Sequence, residues 1–189
     1  MRKILQALAV LILMLSALVS CGSQVSPQQG RPPTENVIPL QSAVDVPSAC
    51  HPGKVYQSSE TAQASLAGIP WAKAEPASSR IIAYLFFARP HTLGSRIYQP
   101  LHVGGRSVDG TSMKILWSID NPQASKTIAI TGRQLLDPQM KTFSQTFLSA
   151  DTPAKMYPST INVPAAGCWQ LTLKSGMTTG TLIFWVLGN

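Results

Sequence analysis

The chain has 189 residues and a formal net charge of +7, yet only 12% of its residues are charged while 44% are hydrophobic. Eight carboxylates in the whole chain are too few to assemble paired acids for hydrolysis readily. The apolar content and the length suit one domain with a real core, and thirteen glycines and fifteen prolines favour many short strands over long helices.

At the start, Arg2 and Lys3 are positive, residues 4–17 are apolar apart from Gln6 and Ser16, and Leu18, Val19 and Ser20 precede Cys21. The run is shorter than the ~20 apolar residues that span a bilayer, and it turns polar at its end. Leu18-Val19-Ser20-Cys21, followed by Gly22-Ser23, resembles the lipobox of bacterial lipoproteins. That resemblance implies a signal peptide over residues 1–20, cleavage behind Ser20, and a diacylglycerol thioether on Cys21. It also implies attachment to the cell membrane on its extracytoplasmic face, because two acyl chains suffice for stable anchoring. A plain cleaved signal is the alternative.

Residues 21–48 carry this lipidated cysteine and a Ser, Gln and Pro-rich stretch with too little contiguous apolar surface for a core, which reads as a tether. Its reach is about 80 Å if polyproline-like and about 30 Å as a coil. Within it, residues 37–40 could pair as an edge strand. The domain proper is expected over residues 49–189. With Cys21 set aside, Cys50 and Cys168 are an even pair in an exported chain, and one disulfide is the simplest reading. Cys168 shares a strand face with Gln170 and Thr172, opposite Trp169 and Leu171, so the bridge belongs on an outer face or rim. Closing so long a loop contributes at most about 5 kcal/mol in the chain-entropy model.

Along the domain, residues 57–67 contain Ser59, Glu60 and several alanines and suit a short helix. Ile69-Pro70-Trp71-Ala72 suits the lead-in to an edge strand, where proline is tolerated. Residues 80–88 are a continuous apolar run and a strand. In the loop 89–110, Ile97, Leu101 and Val103 mark strand positions. Met113, Ile115, Trp117 and Ile119 then alternate with Lys114, Leu116, Ser118 and Asp120 until Asn121-Pro122 ends the strand. Residues 127–131 alternate briefly and are closed by Gly132. Residues 141–148 align Phe143 and Phe147 on one face, and residues 157–163 lead to a corner at 164–167. Trp169, Leu171 and Leu173 alternate next, Ser175-Gly176 turns the chain, and residues 181–186 are apolar on both faces. This last hairpin is therefore central.

The sum is an all-β sandwich of about seven strands. Its spacing over residues 69–187, with a tryptophan in a middle strand and a closing hairpin, is similar to the immunoglobulin-like β-sandwich. It departs from that family at Ala166, where the family has a tyrosine two residues before the second cysteine. A jelly roll and a cupredoxin-like barrel are alternatives. Trp117 and Trp169 read as core residues.

No catalytic motif accompanies this fold, and no cofactor is implied. Gly167-Cys168 resembles the Gly-Cys of cell-wall transpeptidases, but the flanking His and Arg of that family are missing. His51, His91 and His102, with Met113, Met140, Met156 and Met177, are ligand types that suit copper, which makes an extracytoplasmic metal carrier the second reading. No His-x-His, CxxC or HExxH spacing supports it. Gly104-Gly105 and Gly110 open no helix, so a phosphate-cradling loop is not indicated. One stretch exceeds background: between Glu75 and Asp109 there is no acid, while Arg80, Arg89, Arg96 and Arg106 occur with His91 and His102. Arginine offers a planar fork for carboxylate or phosphate, so Arg89, Arg96, Arg106, His91 and His102 are read as an anion-recognition surface at one end of the sandwich. The expected function is a non-enzymatic, lipid-anchored binding or scaffolding module. Its partners would be an anionic envelope polymer, a lipid headgroup or a protein, and not nucleic acid.

Overall fold

Eleven strands form among the described residues. The computed structural model describes residues 36–38, 46–57, 66–88, 100–151 and 155–188, all within the unit spanning residues 33–189. In chain order the strands are β1 (Asn36–Ile38), β2 (Val55–Gln57), β3 (Trp71–Lys73), β4 (Ile81–Leu85), β5 (Leu101–His102) and β6 (Lys114–Ile119). There follow β7 (Thr127–Leu135), β8 (Thr142–Leu148), β9 (Met156–Thr160), β10 (Gly167–Ser175) and β11 (Thr178–Leu187). One sheet has the order β1-β2-β3-β4-β6-β9 and the other β5-β11-β10-β7-β8. All pairings are antiparallel except β5 with β11. The fold is all-β.

The two inner faces form one core. Ile115, Trp117 and Ile119 of β6 meet Trp169, Leu171 and Leu173 of β10 and Leu182, Phe184 and Val186 of β11 in it. The polar atoms of its aromatic side chains are satisfied, as burial demands. Trp117 Nε1 donates to Ser159 Oγ at 2.8 Å, and Trp169 Nε1 to the Ala165 carbonyl at 2.9 Å. Tyr157 is fully buried and its hydroxyl donates to the Ser125 carbonyl at 2.5 Å, beside Ser175 Oγ at 3.1 Å. Trp117 and Trp169 are thus core residues, and the closing hairpin is central, since β10 is the middle strand of its sheet.

Several expectations change. Gly132 does not close a strand: β7 runs on to Leu135, and Phe143 packs where a side chain would stand, 2.0 Å from the position a Cβ would take. The glycine serves a close cross-strand approach rather than a stop. β3 is not an edge strand but third of six, and Pro70 lies just ahead of it, with its carbonyl accepting from the Leu85 amide at 2.7 Å. β1 lies inside the stretch read as tether and pairs with β2 at the sheet edge. Among the described residues there are eleven strands rather than about seven, because β1, β2, β3 and β5 are two or three residues long, too short to show a period. Most of the helix expected over 57–67 lies outside the described residues, although Gln57 itself closes β2.

Cys50 and Cys168 form a disulfide with Cα atoms 5.8 Å apart. Cys168 stands opposite Leu135 and Trp185 on the face of its sheet away from the core, as the alternation requires. The bridge holds residues 46–53 against β11, where the Gly53 amide donates to the Ile183 carbonyl at 2.9 Å. Glu75 and Thr181 exchange two further backbone bonds, at 2.8 and 2.7 Å. The outer face of the six-stranded sheet carries a second apolar cluster, in which Leu66 and Ile69 join Trp71, Tyr84 and Met156.

Candidate binding groove

The backbone bonds from Gly53 and Glu75 lay two chain segments alongside β11 and leave a groove between them. Its volume is about 390 Å³, and His51, Lys54, Tyr56, Lys73, Glu75 and Thr181 line it. Gly53 fits there because it is small; a Cβ would meet Leu182 Cδ2 at 3.1 Å. The pairing of Tyr56 with Trp71 across β2 and β3 stacks their rings, with centroids 4.6 Å apart and planes 23° from parallel. Lys73 lies two residues beyond Trp71 on the same strand face, and its Nζ sits 5.0 Å from the Trp71 centroid and 5.2 Å from that of Tyr56. The negative faces of the rings hold the ammonium in place. His51 and Lys54 are exposed on the other bank, and among the described residues Glu75 is the only carboxylate in the lining. The arrangement offers two ammonium groups and an imidazole beside a flat aromatic surface, which suits an anionic group attached to a planar or apolar body.

The basic stretch is only partly described. Arg89, His91 and Arg96 lie outside the described residues. β4 ends and β6 begins at one end of their sheet, where Leu85 pairs with Ile115, so the chain between them leaves and returns at that end. Arg106 is exposed there, and its Nη1 donates to the Gly110 carbonyl at 3.1 Å. In the turn it closes, the Asp109 carboxylate accepts from the Ser107 hydroxyl and, at 3.0 Å, from the Thr111 amide. His102 is 9% exposed and its Nδ1 lies 3.2 Å from the Gly188 carbonyl. Arg106 therefore remains at the surface with part of its fork engaged, while His102 is withdrawn from it.

The described metal-type ligands are scattered. His51 lies in the groove, Met113 in the main core accepting the His102 amide at 3.1 Å, and Met156 in the second cluster. Met140 and Met177 are exposed on separate turns. Among the described residues no group of three or more His, Cys, Asp or Glu could hold a metal ion, and Cys50 and Cys168 are spent in the bridge. Among the same residues no helix is long and apolar enough to cross a membrane.

Lys54, Tyr56 and Lys73 were not visible as a site in the sequence, because only strand pairing brings residues 51–56 beside 71–75. The one local hint is the spacing Trp71-x-Lys73, which puts an aromatic ring and a cation on one strand face. Comparison with protein-family models, with curated proteins and with solved structures finds no match.

Proposed function

We propose that the chain is a lipid-anchored extracytoplasmic binding module, without catalytic activity, that takes an anionic partner in the groove of His51, Lys54 and Lys73. The observation that carries this is the gathering of exposed cations in one recess around Tyr56, whose ring stacks on the buried Trp71. Anchoring is supported by the Leu18-Val19-Ser20-Cys21 motif. The residue that a wall-transferase reading would use as a thiolate, Cys168, is in a disulfide. We further propose that the sandwich is an enlarged immunoglobulin-like one. Strand order supports this: β4-β6-β9 follows A-B-E, and β8-β7-β10-β11 follows C′-C-F-G, with β1 to β3 extending one sheet. The outer-face disulfide and Ala166 depart from that pattern.

Titration with linear polyphosphate, followed by tryptophan fluorescence, tests the groove. Binding should weaken with salt, and Lys54→Gln and Lys73→Gln should each reduce affinity up to about fivefold, as exposed cation contacts worth up to about 1 kcal/mol would. Unaltered affinity in the double variant sinks the assignment. For the anchor, Cys21→Ala should move the protein out of the membrane fraction, and retention there would overturn it.

A further inference from the structure

The face of the five-stranded sheet turned away from the core has a composition that the groove does not explain. Strand register aligns its side chains in rows. Thr181, Thr172, Thr131 and Ser144 stand opposite one another across β11, β10, β7 and β8. The next row toward the disulfide reads Ile183, Gln170, Arg133, Thr142, and the row on the other side reads Thr179, Lys174, Ala129, Thr146. Neighbouring strands lie about 4.8 Å apart, so these hydroxyls repeat at that interval across the sheet. A shallow depression of about 610 Å³ lies over the first two rows, lined by Thr131, Arg133, Thr142, Ser144, Gln170 and Thr172 together with Gly132 and Phe143. None of the three rows contains an aspartate or glutamate, and Arg133 and Lys174 are their cations.

We propose that this face binds an acidic polysaccharide. Arg133 would receive its carboxylate groups, and the surrounding hydroxyls and Gln170 its sugar hydroxyls. Each Thr or Ser hydroxyl is both donor and acceptor, which matches the hydroxyls of a sugar. Arg133 is set for its role. Its Nη2 donates to Gln170 Oε1 at 3.1 Å, which steers the guanidinium across β10, engages the amide oxygen and leaves the Gln170 NH2 as a donor. The remaining guanidinium donors form the fork that accepts a carboxylate in bidentate fashion. A protein partner would call for several large apolar or aromatic anchors and a single-stranded nucleic acid for stacking rings. These three rows hold no aromatic residue, Ile183 is their one large apolar side chain, and Phe143 at the edge of the depression packs against the core. The depression over β10, β7 and β8 shares no lining residue with the groove, which meets this face only at Thr181 and Ile183 of β11, and the proposal stands whether or not the groove binds polyphosphate.

The test uses the full chain with polygalacturonate as the acidic polymer and dextran as its neutral counterpart. Polygalacturonate should bind in a salt-sensitive manner and dextran should not. Arg133→Gln should weaken binding about tenfold, the effect of losing a hydrogen-bonded charge contact. Arg133→Lys, which keeps the charge and loses the fork, should weaken it less, and Thr131→Val with Thr172→Val several-fold. The groove substitutions at Lys54 and Lys73 should leave polygalacturonate binding unchanged, just as Arg133→Gln should leave polyphosphate binding unchanged. If Arg133→Gln fails to fold, the Lys and Val variants carry the test. No binding of polygalacturonate, equal binding of dextran, or binding lost only in the groove variant would each overturn the proposal.

Discussion

The outer faces of the two sheets are built on opposite principles. On the six-stranded sheet, Tyr56, Trp71, Tyr84 and Leu116 stand in register across β2, β3, β4 and β6, a continuous apolar row with Leu66 and Ile69 packed onto the same cluster. On the five-stranded sheet the positions around Arg133 are mostly threonine, serine and glutamine open to solvent, with Ile183, Leu135 and Trp185 as apolar neighbours toward the disulfide. A sandwich needs only its inner faces to be apolar, so the first face is a second core and the second is a working surface. The groove of Lys54 and Lys73 sits where the two designs meet, with the Tyr56 ring from one sheet and the edge of β11 from the other.

The contrast is broken or sharpened most strongly at Trp71. Truncating this 8%-exposed residue to alanine should cost about 3–5 kcal/mol, as large aromatic deletions in cores do, in urea unfolding. Thr172→Ala on the other sheet should stay within about 0.5 kcal/mol. Equal costs would mean that the faces do not differ in kind. Next in size is the disulfide, which is the apolar corner of the otherwise polar face. Replacing Cys50 and Cys168 together by serine should cost about 2–5 kcal/mol and make Trp185, opposite Cys168, more accessible to acrylamide quenching. A smaller effect belongs to Tyr84. Burial raises its hydroxyl above the ordinary 10.0, because the phenolate would lose hydration. The unfolded chain then ionises first, so this contribution is complete below pH 10.0 and is lost as pH rises through the folded value. Tyr84→Phe should flatten the fall in stability above pH 10, and an unchanged alkaline limb would place Tyr84 in water like a residue of the other face.

How much of this was legible follows from which face a residue serves. Where one side of a strand is core and the other water, alternation is plain, and β6 and β10 were readable to within a residue or two. The run at 81–85 reads only as apolar, which does not separate a strand between two layers from one with a second cluster behind it. Gly132 misleads for a different reason: a glycine that makes room for Phe143 and a glycine that ends a strand look alike until the cross-strand neighbour is known. The bridge was legible from cysteine parity and pleat, including its outward face. The groove was not, because Lys54 and Lys73 are brought together by strands only three residues long.

The position of the bridge also settles how the domain carries load. Any pull on the chain ahead of Cys50 passes across the sulfur pair directly into Cys168, at the start of the central strand β10. The 118-residue span between the two cysteines is bypassed, so β2 to β9 cannot be drawn out like a thread while the bridge is intact. Among the described strands only β1 lies ahead of the bridge and can be peeled away by such a force. Tension on the N-terminal segment is thus met by the middle of the five-stranded sheet, where β7, β10 and β11 are the longest of the described strands, and not by the short edge strands that would yield first.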